Sequence, residues 1–210
     1  MEPDGQALID QYRVLHASRL YGHTSVKNLR FIRPHIRLLG PSSILDYGCG
    51  RSALLEALGL GAGVRTLRYD PAIPEYSTPP TETVDLVINI DVLEHIPESD
   101  LPATLEQMRA LGRQALIVID TRPASTILPN GENAHCTLHP HEWWRDYLLR
   151  FYPHVAPIRA ARRSRAAFRT WELTTMQSAA LRAMRLKESA AYWLQRAVNK
   201  AVAPRRRRGR

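Results

Sequence analysis

An α/β fold, with a mostly parallel sheet covered by helices on both faces, is predicted by three features of this 210-residue chain. Continuous apolar runs alternate with stretches of helical spacing, the pattern of strands buried on both sides. Four of those runs end in an aspartate: Asp46, Asp70, Asp91 and Asp120. The first run passes through a turn carrying Gly48 and Gly50 and leads at once into a helix-forming stretch. Ligands in such sheets bind at the carboxyl ends of the strands. Packing alone does not ask for an acid at each of those ends.

The elements follow in order. Leu8, Ile9, Tyr12, Leu15 and Leu20 repeat at helical spacing and predict a helix over 6–21. Val26, Leu29, Ile32, Ile36 and Leu39 predict a second over 25–39. These two make a helical N-terminal cap, residues 1–40. Pro41 and two serines break the chain before the strand at Ile44. Further strands are expected at 64–70, 84–91 and 115–120, and a helix at 99–112. Only residues 71–83, with four prolines, separate the second run from the third, too few and too proline-rich for a long helix. A core over 41–158 is expected, with a loop at 121–144 arching over the acidic rim. Residues 159–210 read as a basic helical extension, with a helix at about 172–202 and a disordered arginine-rich end.

The segment ILDYGCGRSALLEAL, residues 44–58, is the most specific. Glycine lacks Cβ, so it permits sharp turns and close ligand approach, and the helix that follows offers free N–H groups. A dinucleotide fingerprint would need glycines at its first, third and sixth positions. Counted from Gly48, the sixth position is Ala53. The segment instead resembles motif I of the class I S-adenosyl-L-methionine methyltransferases: Asp46, Gly48 and Gly50 match, and Ser52 occupies the last glycine place. INIDVLEHIPE, residues 88–98, resembles the fourth-strand signature of the same family. The resemblance implies a Rossmann-like sheet and S-adenosyl-L-methionine as cofactor. It makes Asp70 the acid that binds the ribose hydroxyls and puts Asp91 and Val92 beside the methionine part. It also implies a third strand that is here very short or lost, which leaves Pro71 to Tyr76 as the candidate adenine wall.

Methyl transfer to a hydroxyl needs a group that takes the proton, and histidine has a pKa near neutrality. His95 is one candidate, against a packing role beside the cofactor. His135 is the other. It belongs to LPNGENAHCTLHPHEWW (128–144), which resembles a group of bacterial and phage methyltransferase-like proteins sharing Asn-Gly-Glu-Asn-Ala-His and Glu-Trp-Trp. The alternative is a lid whose histidines satisfy backbone groups while Trp143 and Trp144 anchor the next helix. No metal site is expected. His135, His139 and His141 are stiffened by Pro140, and a magnesium site on Asp91 and Asp120 competes with the cofactor role of Asp91. Tyr21 or Ser25 is a candidate contact to the cofactor carboxylate, with a helix cap at Thr24 or Ser25 as the alternative.

Charge divides the chain. Residues 1–155 carry 14 Lys/Arg against 18 Asp/Glu, and residues 156–210 carry 15 against 2. The net charge of +9 therefore lies in the C-terminal quarter, the pattern of an interaction tail. Its helix is expected to dock on the protein's own domain, with a second copy, an anionic membrane or nucleic acid as the other contacts such a tail suits. No apolar run reaches the roughly 18–20 residues of a membrane span. The two cysteines, Cys49 and Cys136, have no metal-like or disulfide-like spacing, so a reducing, cytoplasmic setting is expected. The expected activity is methylation of a hydroxyl on a small molecule or glycan. An RNA methyltransferase using the basic C-terminus, and a non-catalytic module that binds S-adenosyl-L-methionine, are the alternatives.

Overall fold

In the computed structural model, which describes residues 5–17 and 25–202, the chain forms a six-stranded sheet with helices on both faces. The strands are β1 (Ser43–Tyr47), β2 (Arg65–Tyr69), β3 (Val84–Ile90), β4 (Gly112–Asp120), β5 (Ala156–Pro157) and β6 (Arg165–Arg169). The helices are α1 (Gly5–Ala17), α2 (Leu29–Leu39), α3 (Leu54–Leu58), α4 (Leu101–Leu111), α5 (His141–Leu148) and α6 (Thr175–Val202). Spatial order is β2-β1-β3-β4-β6-β5. The first four strands run parallel; β6 is antiparallel to both β4 and β5. The chain leaves β1 for β2 on one side and returns to β3 on the other. That reversal opens a crevice at the carboxyl ends of β1 and β3.

Alternation of side chains sorts the core into two layers. Leu45, Ala115, Ile117, Ile119, Ala166 and Phe168 face α4 and α5, where Leu105, Met108, Trp144 and Leu148 pack. Ile44, Leu86, Ile88, Leu116, Val118 and Ala167 face the other way, onto Ile32 and Ile36 of α2 and Leu54 and Leu58 of α3. A period of two on every central strand is what a sheet covered on both faces requires.

One sequence expectation, the short or lost third strand, takes its second form, and two others need correction. Among the described residues no strand lies between β2 and β3; a 3-10 turn, Pro74–Tyr76, is all that forms there, so β2 is the sheet edge. The chain assigned to the basic extension contributes β6, inserted beside β4 with the register Asp120↔Arg165 to Leu116↔Arg169. Arginines flanking Ala-Ala-Phe hid a buried strand behind a tail-like composition. The C-terminal helix begins at Thr175, and it docks on α2 through Glu188, which pairs with Arg33 at 2.8 Å and Arg37 at 3.2 Å. No helix among the described residues is long and apolar enough to cross a membrane.

His35 of α2 is buried, and neither ring nitrogen has a hydrogen-bond partner among the described residues. Burial first, then Arg169 and Arg185, lowers its pKa to about 3. The unfolded chain takes up this proton near pH 6.5 and the folded chain only near 3. This group's contribution is therefore complete above pH 6.5 and is lost as pH falls, by about 1.4 kcal/mol per unit. His35→Leu is expected to flatten the acid limb of stability by about 2 kcal/mol between pH 7 and pH 5. Denaturant melts of both proteins at the two pH values test this; parallel slopes would contradict it.

Candidate functional site

The carboxyl ends of β1, β2, β3 and β4 border a cavity of about 1130 Å³. Its first wall is the glycine turn. The amides of Gly48 and Cys49 both donate to the Tyr69 carbonyl, at 2.7 and 3.1 Å, and fold the turn against the end of β2. Gly48 has φ +75°, and a Cβ there would lie 2.4 Å from Cγ2 of Val92. Gly50 has φ +51°. The turn thus needs glycine twice, for its backbone and for the approach of Val92. Asp70 lies beside it. One carboxylate oxygen accepts from the Gly50 amide at 2.8 Å and the other from the Ala72 amide at 2.9 Å. A carboxylate has about four acceptor positions, so each oxygen keeps one lone pair for a ligand.

The second wall follows β3. Asp91 stands at φ +57°, a left-handed conformation rare outside glycine that costs roughly 1–3 kcal/mol and clusters at functional sites. Arg165 of β6 holds it, with Nη2 2.8 Å from the Asp91 carboxylate and Nε 3.6 Å from that of Asp120. The guanidinium is buried between the two acids. These contacts fill the place where Asp91 and Asp120 would have held magnesium. Arg165 is a site residue that composition hid, because it reads as one of the 15 Lys/Arg of residues 156–210.

Glu94 and His95 form the turn after β3. Glu94 is fully buried. Oε1 accepts from the Asp120 amide at 2.8 Å, and Oε2 has no hydrogen-bond partner among the described residues. Burial, and then the charge of Asp91, pushes its carboxyl well above the usual range. The Glu94 carbonyl accepts from the amides of Cys136 and Thr137, at 2.9 and 3.1 Å, which ties this turn to the 121–144 segment. That segment is a built structure. Asn133 spans it, accepting from the Ala124 amide and donating to the Ala124 carbonyl, each at 2.9 Å. Leu8 of α1 packs on Leu128 and Ala134.

His95 and His135 meet edge to face, ring centroids 4.7 Å apart. His95 donates from Nδ1 to the Ala134 carbonyl at 2.8 Å, and the Tyr12 hydroxyl donates to the same oxygen at 2.7 Å. His135 donates from Nδ1 to the Arg122 carbonyl at 2.5 Å. In this tautomer each ring carries its lone pair at Nε2. Burial, then His135, lowers the His95 pKa to about 3, so His95 is neutral at any physiological pH. His139 goes elsewhere: it stacks on Trp143 at 3.7 Å and pairs with Glu98. The His135–His139–His141 grouping therefore does not form.

Gly48, Gly50, Asp70, Pro71, Asp91 and Val92 all border the cavity, as do His95 and His135. Asp46 does not. It is buried under the turn, with its pKa raised to about 7 chiefly by burial. Tyr21 lies outside the described residues, while Ser25 opens a 3-10 turn and borders the cavity. Tyr12, read from the sequence as an apolar helix position, was missed, and so was Glu94.

The family model described as "Methyltransferase domain" matches residues 3–177. No curated protein matches the chain in sequence. Among solved structures, that of a DhpI–SAH complex superposes with a TM-score of 0.50 at 14% identity, covering 79% of this chain and 97% of the other. The 16S rRNA methylase ArmA gives 0.44 at 15%, covering 80% and 98%. The magnesium protoporphyrin IX methyltransferase of Synechocystis PCC 6803 with bound SAH gives 0.41 at 12%, covering 80% and 88%.

Proposed function

The chain belongs to the methyltransferase domain family, and we propose that it methylates a hydroxyl of a small molecule or glycan with S-adenosyl-L-methionine as donor. The observation that carries the acceptor side is the Glu94–His95–His135 group on the wall of the same cavity that holds the glycine turn. The cofactor fits the residues present. The Gly48–Gly50 turn borders the cavity with both glycines at positive φ, and Asp70 is fixed by two amides with lone pairs to spare for ribose hydroxyls. When bound, the cofactor supplies a methyl group whose bond to sulfur breaks as the bond to the acceptor oxygen forms. Asp70 and the Gly48–Gly50 turn bind and orient it. Asp91 and Val92 stand at the neighbouring strand end for the methionine portion, and Pro71 lies beside Asp70. His135, with Nδ1 held by the Arg122 carbonyl, presents Nε2 as the acceptor of the hydroxyl proton. His95 steadies that ring edge to face.

The acceptor class is tested by incubating the protein with labelled S-adenosyl-L-methionine and separate host fractions of metabolites, glycans and RNA. Label in metabolites or glycans is expected. Label confined to RNA overturns the small-molecule or glycan acceptor and favours the basic C-terminus as a docking platform. Asp70→Ala is expected to weaken cofactor binding by more than tenfold in calorimetry, a loss of about 1.4 kcal/mol or more. Unchanged affinity would remove Asp70 from the ribose site.

A further inference from the structure

We propose that Glu94, His95 and His135 form a binding site for one divalent first-row transition cation, which holds the acceptor oxygen. Each of the three offers a donor atom, and these atoms all lie within 4.8 Å of one another. Donors around a four-coordinate ion at about 2.1 Å stand about 3.4 Å apart, so closure by at most about 1.4 Å through side-chain rotation completes the shell.

Three features distinguish this group from a chance cluster. Both imidazoles are turned by a backbone carbonyl on Nδ1, Ala134 for His95 and Arg122 for His135. That is the outer-shell arrangement that fixes the tautomer and ring orientation of metal-binding histidines. Glu94 has one oxygen satisfied by the Asp120 amide, while Oε2 is buried with no hydrogen-bond partner among the described residues. An unsatisfied buried oxygen costs about 1–3 kcal/mol, and a cation removes that cost. The two segments that supply the donors are also locked together before any ion arrives, through the Cys136 and Thr137 amides on the Glu94 carbonyl and the Thr137 hydroxyl on the Ile96 carbonyl at 2.6 Å.

Two imidazoles and one carboxylate select zinc, manganese, cobalt or iron over magnesium, which prefers oxygen ligands and keeps its waters. Three protein ligands leave open positions, and His95, His135 and Glu94 all border the cavity. An acceptor hydroxyl bound there becomes more acidic: its O–H bond breaks, the proton passes to water, and the oxygen keeps the electron pair. The ion would then replace His135 as the agent that removes the proton. This catalytic role rests on the methyltransferase reading above, whereas the binding site does not.

The test uses the full chain, stripped with chelator and titrated with Co²⁺ and Zn²⁺ by calorimetry and visible absorption. One equivalent per chain is expected, with visible cobalt bands. His135→Ala and Glu94→Gln are each expected to weaken binding at least tenfold, with affinity for S-adenosylhomocysteine within about twofold of the parent. His139→Ala, outside the group, is expected to bind as the parent does. His135 lies at the cavity edge and only half-buried, so its variant carries the test even if Glu94→Gln fails to fold. Absence of stoichiometric binding, or binding unchanged in His135→Ala, overturns the site. Methyl transfer that continues undiminished in excess chelator overturns the catalytic role and leaves the methyltransferase reading standing. Stoichiometric metal binding without label in any acceptor fraction supports the site and counts against that reading.

Discussion

Gly48→Ala is expected to reduce affinity for S-adenosyl-L-methionine by at least a hundredfold and to lower the melting temperature. Two costs combine. At φ +75° a side chain is strained by about 1–2 kcal/mol. The added Cβ would also stand 2.4 Å and 2.8 Å from the two γ-methyl groups of Val92, closer than any carbon contact tolerates. Val92 follows Asp91, whose own backbone is left-handed, so retreat on that side disturbs the strained rim. The turn must then move, and it carries the Gly50 amide that fixes Asp70. Val92→Ala on the same background removes both γ-methyl groups but leaves the φ strain. The double variant is therefore expected to recover part of the lost stability and affinity. Calorimetry and thermal melts of the four proteins complete a mutant cycle. Independent, additive losses would show that Val92 does not brace the turn.

Two kinds of information were unequally legible in the sequence. The central strands β1, β3 and β4 were legible because each is largely a local apolar run buried on both faces, whereas the edge strand β2, Arg-Thr-Leu-Arg-Tyr, was read from its place between the glycine turn and Asp70. The glycine turn and Asp70 were legible because their chemistry is written in residues that few other roles demand. β6 was not: Arg165 and Arg169 bracket a run of three apolar residues, and only pairing with β4 makes it a strand. Arg165 was hidden for the same reason, since its partners Asp91 and Asp120 lie 74 and 45 positions earlier in the chain. Glu94 was visible in the motif but had no assigned task. Its task emerges from amides of Asp120, Cys136 and Thr137, which no local pattern reveals. The lost strand between β2 and β3 was foreshadowed by four prolines, because proline removes both the amide and the backbone freedom that a ladder or a helix requires.

Arg165→Met is expected to destabilise the protein by about 3–5 kcal/mol, the usual cost of removing one partner from a buried ion pair. For a chain of this size that corresponds to a fall of roughly 10 °C in melting temperature. The guanidinium stands between two largely buried carboxylates, those of Asp91 and Asp120, and its loss leaves their mutual repulsion without that cation. Arg165→Lys is not expected to substitute, because a single ammonium cannot reproduce the fork that reaches Asp91 through Nη2 and Asp120 through Nε. Adding Asp91→Asn to Arg165→Met removes one of the two charges and is expected to restore a third or more of the loss. Urea melts of the three variants decide the matter. A change below about 0.5 kcal/mol for Arg165→Met would mean that the pair is offset by its own desolvation. The left-handed backbone of Asp91 would then have to be held without Arg165, by contacts that include the Asp91 amide on the Val118 carbonyl at 2.8 Å.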